Sequence, residues 1–257
     1  MATTFGARSA HDAERRFFFV LSTVMSLCIV AGFALNLALG RSTFAVPLVY
    51  HLHAVVFFGW VALFMAQAFL IDRNNVHLHR RLGMVAFAWV PLMVVMGIVM
   101  SITVMRRTGG PFFFDQNQFL FSNPLHLLCF AGLTYWALKV RRHAGWHRRL
   151  LIGGYAVLTG PGLGRLIPLP LAIPHAWHLM LLAIMMFPVA GMIHDKIRKG
   201  RVHPAWFWSV GVVLLAQVAA DIIAYSPLGI ALTEQLLAGT PGSARPMEAF
   251  LPPGFAM

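Results

Sequence analysis

Charge is scarce in this 257-residue chain: Asp, Glu, Lys and Arg together make up 11% of it. A soluble domain carries about 25%, so there is too little charge here to wet a globular surface. Acid is scarcer still, with 8 Asp and Glu against 20 Lys and Arg. Cysteine is limited to Cys28 and Cys129, each inside an apolar run, which excludes a disulfide scaffold. No Cys-x-x-Cys, covalent-haem, phosphate-loop or Gly-rich dinucleotide pattern occurs. The clustered His-x-x-His-His boxes of membrane desaturases are missing too; His143-x-x-x-His147 and His175-x-x-His178 are partial echoes. Ser-His-Asp catalysis has no support.

Apolar residues are what the chain has, at 59%, gathered into long runs parted by short basic connectors. Seven runs lie near 17–39, 48–71, 84–104, 124–138, 150–167, 174–193 and 205–225. They predict an all-α integral membrane protein with seven transmembrane helices. The fourth run is short and has room to begin inside 112–122, and the fifth is interrupted by Gly160-Pro161-Gly162. The first, 23 residues long after a polar lead of 16, exceeds the core of a cleavable signal and reads as a signal-anchor. The organisation expected is a cytoplasmic segment 1–16, a membrane domain 17–225 and a periplasmic tail 226–257. That tail is rich in Pro and reads as irregular, with a short helix near 230–237.

The cations take sides. Arg8, Arg15, Arg16, Arg73, Arg80, Arg81, Lys139, Arg141, Arg142, Arg148, Arg149, Lys196, Arg198, Lys199 and Arg201 fall on the side of the N-terminus. Only Arg41, Arg106, Arg107, Arg165 and Arg245 fall opposite. That bias puts the N-terminus in the cytoplasm of a bacterial inner membrane and the C-terminus in the periplasm. It also accounts for the net charge of +12 through contact with anionic lipid, with no nucleic-acid partner.

Twelve histidines form two layers and avoid the membrane centre. His51, His53, His126, His175 and His178 lie near the outer surface; His77, His79, His143, His147, His194 and His203 lie near the inner one, and His11 precedes the first run. For His11, His77, His143, His194 and His203, set among basic loop residues, the amphipathic ring at an interface is sufficient explanation. His53, His126, His79 and His147 belong to an internal repeat. His53-x-x-x-Phe57-x-Gly59 aligns with His126-x-x-x-Phe130-x-Gly132, and His79-Arg80-Arg81-Leu82 with His147-Arg148-Arg149-Leu150. The units, about 48–107 and 119–171, run in the same direction. They predict a central four-helix bundle of spans 2–3 and 4–5 about a pseudo-two-fold along the membrane normal.

Such an axis sets His53 opposite His126 and His79 opposite His147. Facing imidazoles can serve as the two axial ligands of one haem iron. Arg80 and Arg148, after the inner histidines, and Arg165 outside would receive propionates. On span two, His53, Trp60 and Gln67 recur every seven residues as one stripe. Gln67, Gln217 and Asp221 are candidates for a polar cavity, with Arg165 as the counter-ion of Asp221, the one acid placed well inside a span.

The stretch 50–167 resembles a bacterial multi-pass membrane-protein family of unknown function, through His79-Arg80-Arg81-Leu82-Gly83 and Trp146-His147-Arg148-Arg149 followed by Arg165. More distantly, the histidine layout is similar to the transmembrane di-haem b-type cytochromes that take electrons from ascorbate. That resemblance implies His53 with His126 and His79 with His147 as two haem b ligand pairs. Three functions follow as expectations: a b-haem electron carrier or membrane oxidoreductase with quinol or another small donor; a non-haem copper, zinc or iron site of His53, His126 and His178; or a cofactor-free transporter or assembly factor with a polar His/Arg/Asp cavity.

Overall fold

The computed structural model describes the backbone of residues 2–255 and the side chains from residue 12 onward; His11 lies outside the described side chains. Among the described residues all regular structure is helical. The helices are α1 (Ala2–Ala38), α2 (Leu48–Asp72), α3 (Val76–Gly83), α4 (Ala86–Thr108), α5 (Gln116–Lys139), α6 (Ala144–Leu158), α7 (Gly160–Leu166), α8 (Ala176–Lys199), α9 (Pro204–Ala224) and α10 (Pro227–Leu237). Short 3-10 turns occupy Leu169–Ala172 and Pro241–Ala244. A helix satisfies its own backbone polar groups, which a bilayer core demands. Five segments are long and apolar enough to cross a membrane: Asp12–Ala38, α2, α4, α8 and α9.

The other two apolar runs are built differently. α5 begins at Gln116, earlier than its apolar run, and its 24 residues match α8 in length. Its outer turns carry Gln116, Asn117, Gln118 and Ser122, all buried against other helices. The fifth run divides at Thr159 into α6 and α7. Pro161 lacks the amide hydrogen a continuous helix needs, but a first turn tolerates it.

α5 is the hub, packed on α4, α6 and α9, while α1 lies along α2 and α7. The interior between α2, α5 and α6 is closed by rings. Trp60 meets Phe130 edge-on at 5.4 Å, and Phe64 stacks on Tyr155 at 3.8 Å. Tyr155 also shares a 2.7 Å hydrogen bond with Ser26 of α1, so α1 enters the bundle that the repeat alone would form. A Cβ on Gly32 would collide with the Gly162 backbone, so that glycine permits the close approach of α1 and α7.

Near the inner ends of α1, α6, α8 and α9 lies a buried ion cluster. Arg149 donates from Nε to Asp195 Oδ2 at 2.7 Å and pairs with Oδ1 through its terminal nitrogen, and both side chains are wholly buried. The remaining guanidinium contacts are to Gly145 O at 2.9 Å and Glu14 at 3.1 Å. Glu14 also holds Arg148 at 2.7 Å and Lys199 at 2.5 Å, while Trp206 Nε1 donates to Asp195 at 2.9 Å. Asp221 is therefore not the sole acid inside the helical bundle.

The tail carries the short helix expected near 230–237, as α10, and the irregular stretch after it is tied down. After α10, Arg245 donates to the carbonyls of Gly110, Pro111 and Phe114 at 2.8–3.2 Å. Asp115 accepts from Ala249 N at 2.7 Å, and Gln116 N donates to Met247 O at 2.7 Å. The tail is thereby tied across the α4–α5 connection.

Breaking a buried pair strands the remaining charge. Asp195→Asn is expected to lower stability by about 3–5 kcal/mol, read by thermal unfolding in detergent. The double change Arg149→Met with Asp195→Leu should recover most of that loss. A single-variant loss as small as that of an exposed pair would contradict the structural role assigned to the cluster.

Candidate functional site

The inner histidines come together. α2 ends at a tight reversal in which Asn74 has a positive φ of 60°, a conformation Asn tolerates better than most residues. Asn75 then caps α3, accepting from Leu78 N at 3.2 Å. This turn carries His79 back beneath α2, and the connection after α5 delivers His147 in the first turn of α6. Their ring centres stand 6.2 Å apart and the rings cross at 83°.

Each ring is anchored to the helix preceding it. His147 Nδ1 lies 2.8 Å from the Ala137 carbonyl near the end of α5. A carbonyl only accepts, so Nδ1 carries the proton and Nε2 keeps its lone pair. His79 is anchored by Gln67, near the end of α2, through the backbone carbonyl and the side-chain amide. With the amide oxygen accepting from Gly83 N at 2.7 Å, its nitrogen donates to His79 O at 3.1 Å and lies 2.6 Å from Nδ1. The amide nitrogen donates to a bare His79 Nδ1, which leaves the proton on Nε2. The other tautomer, protonated on Nδ1, would free Nε2 as in His147.

Two imidazoles that share one metal ion, each nitrogen about 2 Å from it, have ring centres roughly 6 Å apart, and the separation of His79 and His147 is of that size.

The outer histidines do not form such a pair. His53 stacks on Phe57 of its own helix at 4.1 Å, while His126 faces Trp177 of α8 at 5.8 Å. The repeat treats spans two and four as equivalent, but their neighbours differ: α8 and α9 supply polar partners around His126, whereas α1 and α7 close the side near His53. His53 Nδ1 and His126 Nε2 are buried without hydrogen-bond partners.

His126 belongs to a polar cluster of α5, α8 and α9. Trp177 Nε1 donates to Gln217 Oε1 at 2.6 Å. The Gln217 amide nitrogen donates to Ser122 at 3.1 Å and to Asp221 Oδ1 at 2.8 Å. Gln118 donates to the same oxygen at 2.9 Å, and His178 Nε2 lies 3.2 Å from Asp221 Oδ2. Gln118, Ser122 and Trp177 were not singled out from the sequence. Yet 118, 122 and 126 recur every four residues, a polar stripe on one helix face.

Other expected roles change as well. Asp221 is met by Gln118, Gln217 and His178, not by Arg165. Arg165 lies on α7, beyond the break at Thr159, with its guanidinium 4.0 Å above Phe33 and a hydrogen bond to Pro161 O at 2.6 Å. Gln67 serves His79 at the inner end, so Gln67, Gln217 and Asp221 do not share a cavity. Arg148 is committed to Glu14 and Phe18, which removes it as a propionate partner, whereas Arg80 is exposed. The trio His53, His126 and His178 is not gathered: among the described residues no group of three or more His, Cys, Asp or Glu is disposed to hold a metal ion. The interfacial role fits the remaining inner histidines that are described. His77 and His143 are exposed, His194 stacks on Phe17 at 3.8 Å, and His203 accepts from Ala205 N at 3.1 Å as the cap of α9.

No protein-family model matches the chain, and no curated protein or solved structure matches it either.

Burial, then the neighbouring His147, hold His79 below the ordinary histidine range. The unfolded chain takes up this proton near pH 6.5, the folded chain only at lower pH. Stability is therefore expected to fall as pH drops below about 6.5, by at most about 1.4 kcal/mol per pH unit from this one group. Thermal unfolding between pH 7.5 and 5 should show a smaller acid-side loss for His79→Gln than for the native chain. Equal losses in the two would refute the assignment.

Proposed function

We propose that the chain is an integral protein of a bacterial inner membrane, crossing it seven times with the N-terminus in the cytoplasm, and that His79 and His147 hold one b-type haem near the inner surface. The observation that carries this reading is the crossed imidazole pair, 6.2 Å between ring centres, with His147 Nδ1 against the Ala137 carbonyl and His79 Nδ1 against the Gln67 amide. The seven crossings count α5 and the broken α6–α7 pair beside the five apolar segments. Support for both additions comes from the burial of the α5 polar residues and from the alternation of basic connectors.

When bound, haem supplies one-electron chemistry. The residues of this chain do the rest. Ala137 fixes the tautomer and the plane of His147; Gln67 holds the His79 ring in place and leaves its tautomer adjustable. Both imidazoles remain neutral and available at neutral pH, and exposed Arg80 is the cation left to meet a propionate. Phe64 stacked on Tyr155 and Trp60 against Phe130 fill the bundle interior toward the outer side. The role proposed is a carrier or membrane oxidoreductase that exchanges electrons with a small donor such as quinol. One centre is proposed, not two, because His53 and His126 face different partners.

A cofactor-free transporter or assembly factor is the second reading, favoured by the outer cluster, in which the side chains of His178 and Asp221 keep 48% and 27% of their exposure. The two separate cleanly. Protein purified after expression with ample haem supply should show a sharp reduced-minus-oxidised visible band. His79→Ala and His147→Ala should each abolish it, whereas His53→Ala and His126→Ala should retain it. A colourless native protein, or a band lost only with the outer histidines, would reject the inner site.

A further inference from the structure

Arg165 is a cation without a carboxylate among the described residues. Its Nε is buried with no hydrogen-bond partner, and so is Nδ1 of His53. The side chain is half-buried, and a cation without a counter-ion at the edge of an apolar bundle is suited to meet an anion. The close Gly32–Gly162 approach fixes α7 on α1, and it places the guanidinium 4.0 Å over Phe33. Phe33 in turn meets Phe58 of α2 edge-on at 5.4 Å. Phe58 follows His53 by five residues, about one and a half turns of α2, so the Arg165 cation lies on the α1 side of α2 near its outer end.

A groove of about 350 Å³ starts at that level. Val30, one turn before Phe33, and Phe58 line one end; Thr23 and Met65 line the other, with Leu27 and Ala62 between. Since α1 and α2 run in opposite directions, these pairs trace one path from the outer level toward the membrane centre. Leu27, Val30 and Ala62 are exposed, so the groove opens to the surroundings of the bundle.

We propose that this groove binds one acyl chain of an anionic phospholipid whose phosphate is met by Arg165. The proposal is independent of any haem at the inner site. Charge complementarity selects the headgroup, and the apolar path beginning beside it selects a molecule with a tail instead of a soluble anion.

The test uses the full-length protein in nanodiscs of equal phosphatidylglycerol and phosphatidylcholine, with native mass spectrometry of the lipid that stays bound. Retained phosphatidylglycerol is expected to exceed phosphatidylcholine by about fivefold, the effect of roughly one cation at an anionic surface. Arg165→Gln should erase the preference and Arg165→Lys should keep much of it. Ala62→Phe, which fills the groove and leaves the cation in place, should reduce retention of both lipids. Equal retention of the two lipids by the native chain overturns the proposal, as does an unchanged preference in Arg165→Gln. Unchanged retention in Ala62→Phe also overturns it, and so does thermal stabilisation by soluble glycerol phosphate as large as that by the lipid. Should Arg165→Gln fail to fold, Ala62→Phe and the glycerol phosphate comparison still decide.

Discussion

Anchoring of each inner imidazole to the end of the preceding helix is the constraint on which the candidate site depends. His147 is tied to Ala137 of α5 and His79 to Gln67 of α2. A histidine on a basic connector would otherwise point to water, where its entropy is greatest. The anchors set the two rings side by side and leave a free Nε2 on His147. The Gln67 amide meets Nδ1 of His79, so His79 has the adjustable tautomer and His147 the fixed one.

Burial of polar groups follows one rule at both ends of the bundle: the groups enter as satisfied clusters. At the inner end, Arg149 is tolerated because Asp195, Glu14 and the Gly145 carbonyl take its donors. At the outer end, Gln217 links Trp177, Ser122 and Asp221 in one chain of hydrogen bonds. Between the two levels lie aromatic rings with few polar atoms. Single buried atoms without partners remain on Arg15, His53, Trp60, His126, Thr134, Arg148, Arg165 and His194; of these, Arg165 is a cation that also has no carboxylate among the described residues. Partly satisfied polar groups are where function concentrates in a low-dielectric interior.

Much of the helical plan was legible in the sequence, because apolar runs and basic connectors leave strong one-dimensional signals. The break in the fifth run followed from Gly160 and Pro161, and the early start of α5 from the short fourth run. The pairing of His79 with His147 followed from the repeated His-Arg-Arg-Leu turn. What failed was the extension of that symmetry to the outer level. The repeat expected from the sequence concerned two hairpins only, and α1, α7, α8 and α9 give His53 and His126 different surroundings. Glu14 and Asp195 were hidden for a similar reason. Each sits among basic residues at a helix end, where local sequence reads as a solvated connector, and only tertiary packing shows that their partners are buried. The ordered tail was obscured by its prolines, since the contacts that fix it reach across more than 100 residues to the α4–α5 connection.

The central claim is a count as much as a location: one bis-imidazole centre per chain, at the inner level. Quantitative haem determination on the purified native protein, paired with iron analysis of the same sample, addresses it most directly. The account requires a value near one haem iron per chain. A value near two would restore an outer centre that His53 and His126 are not placed to form, and a value near zero would leave the inner histidines as a metal-free pair.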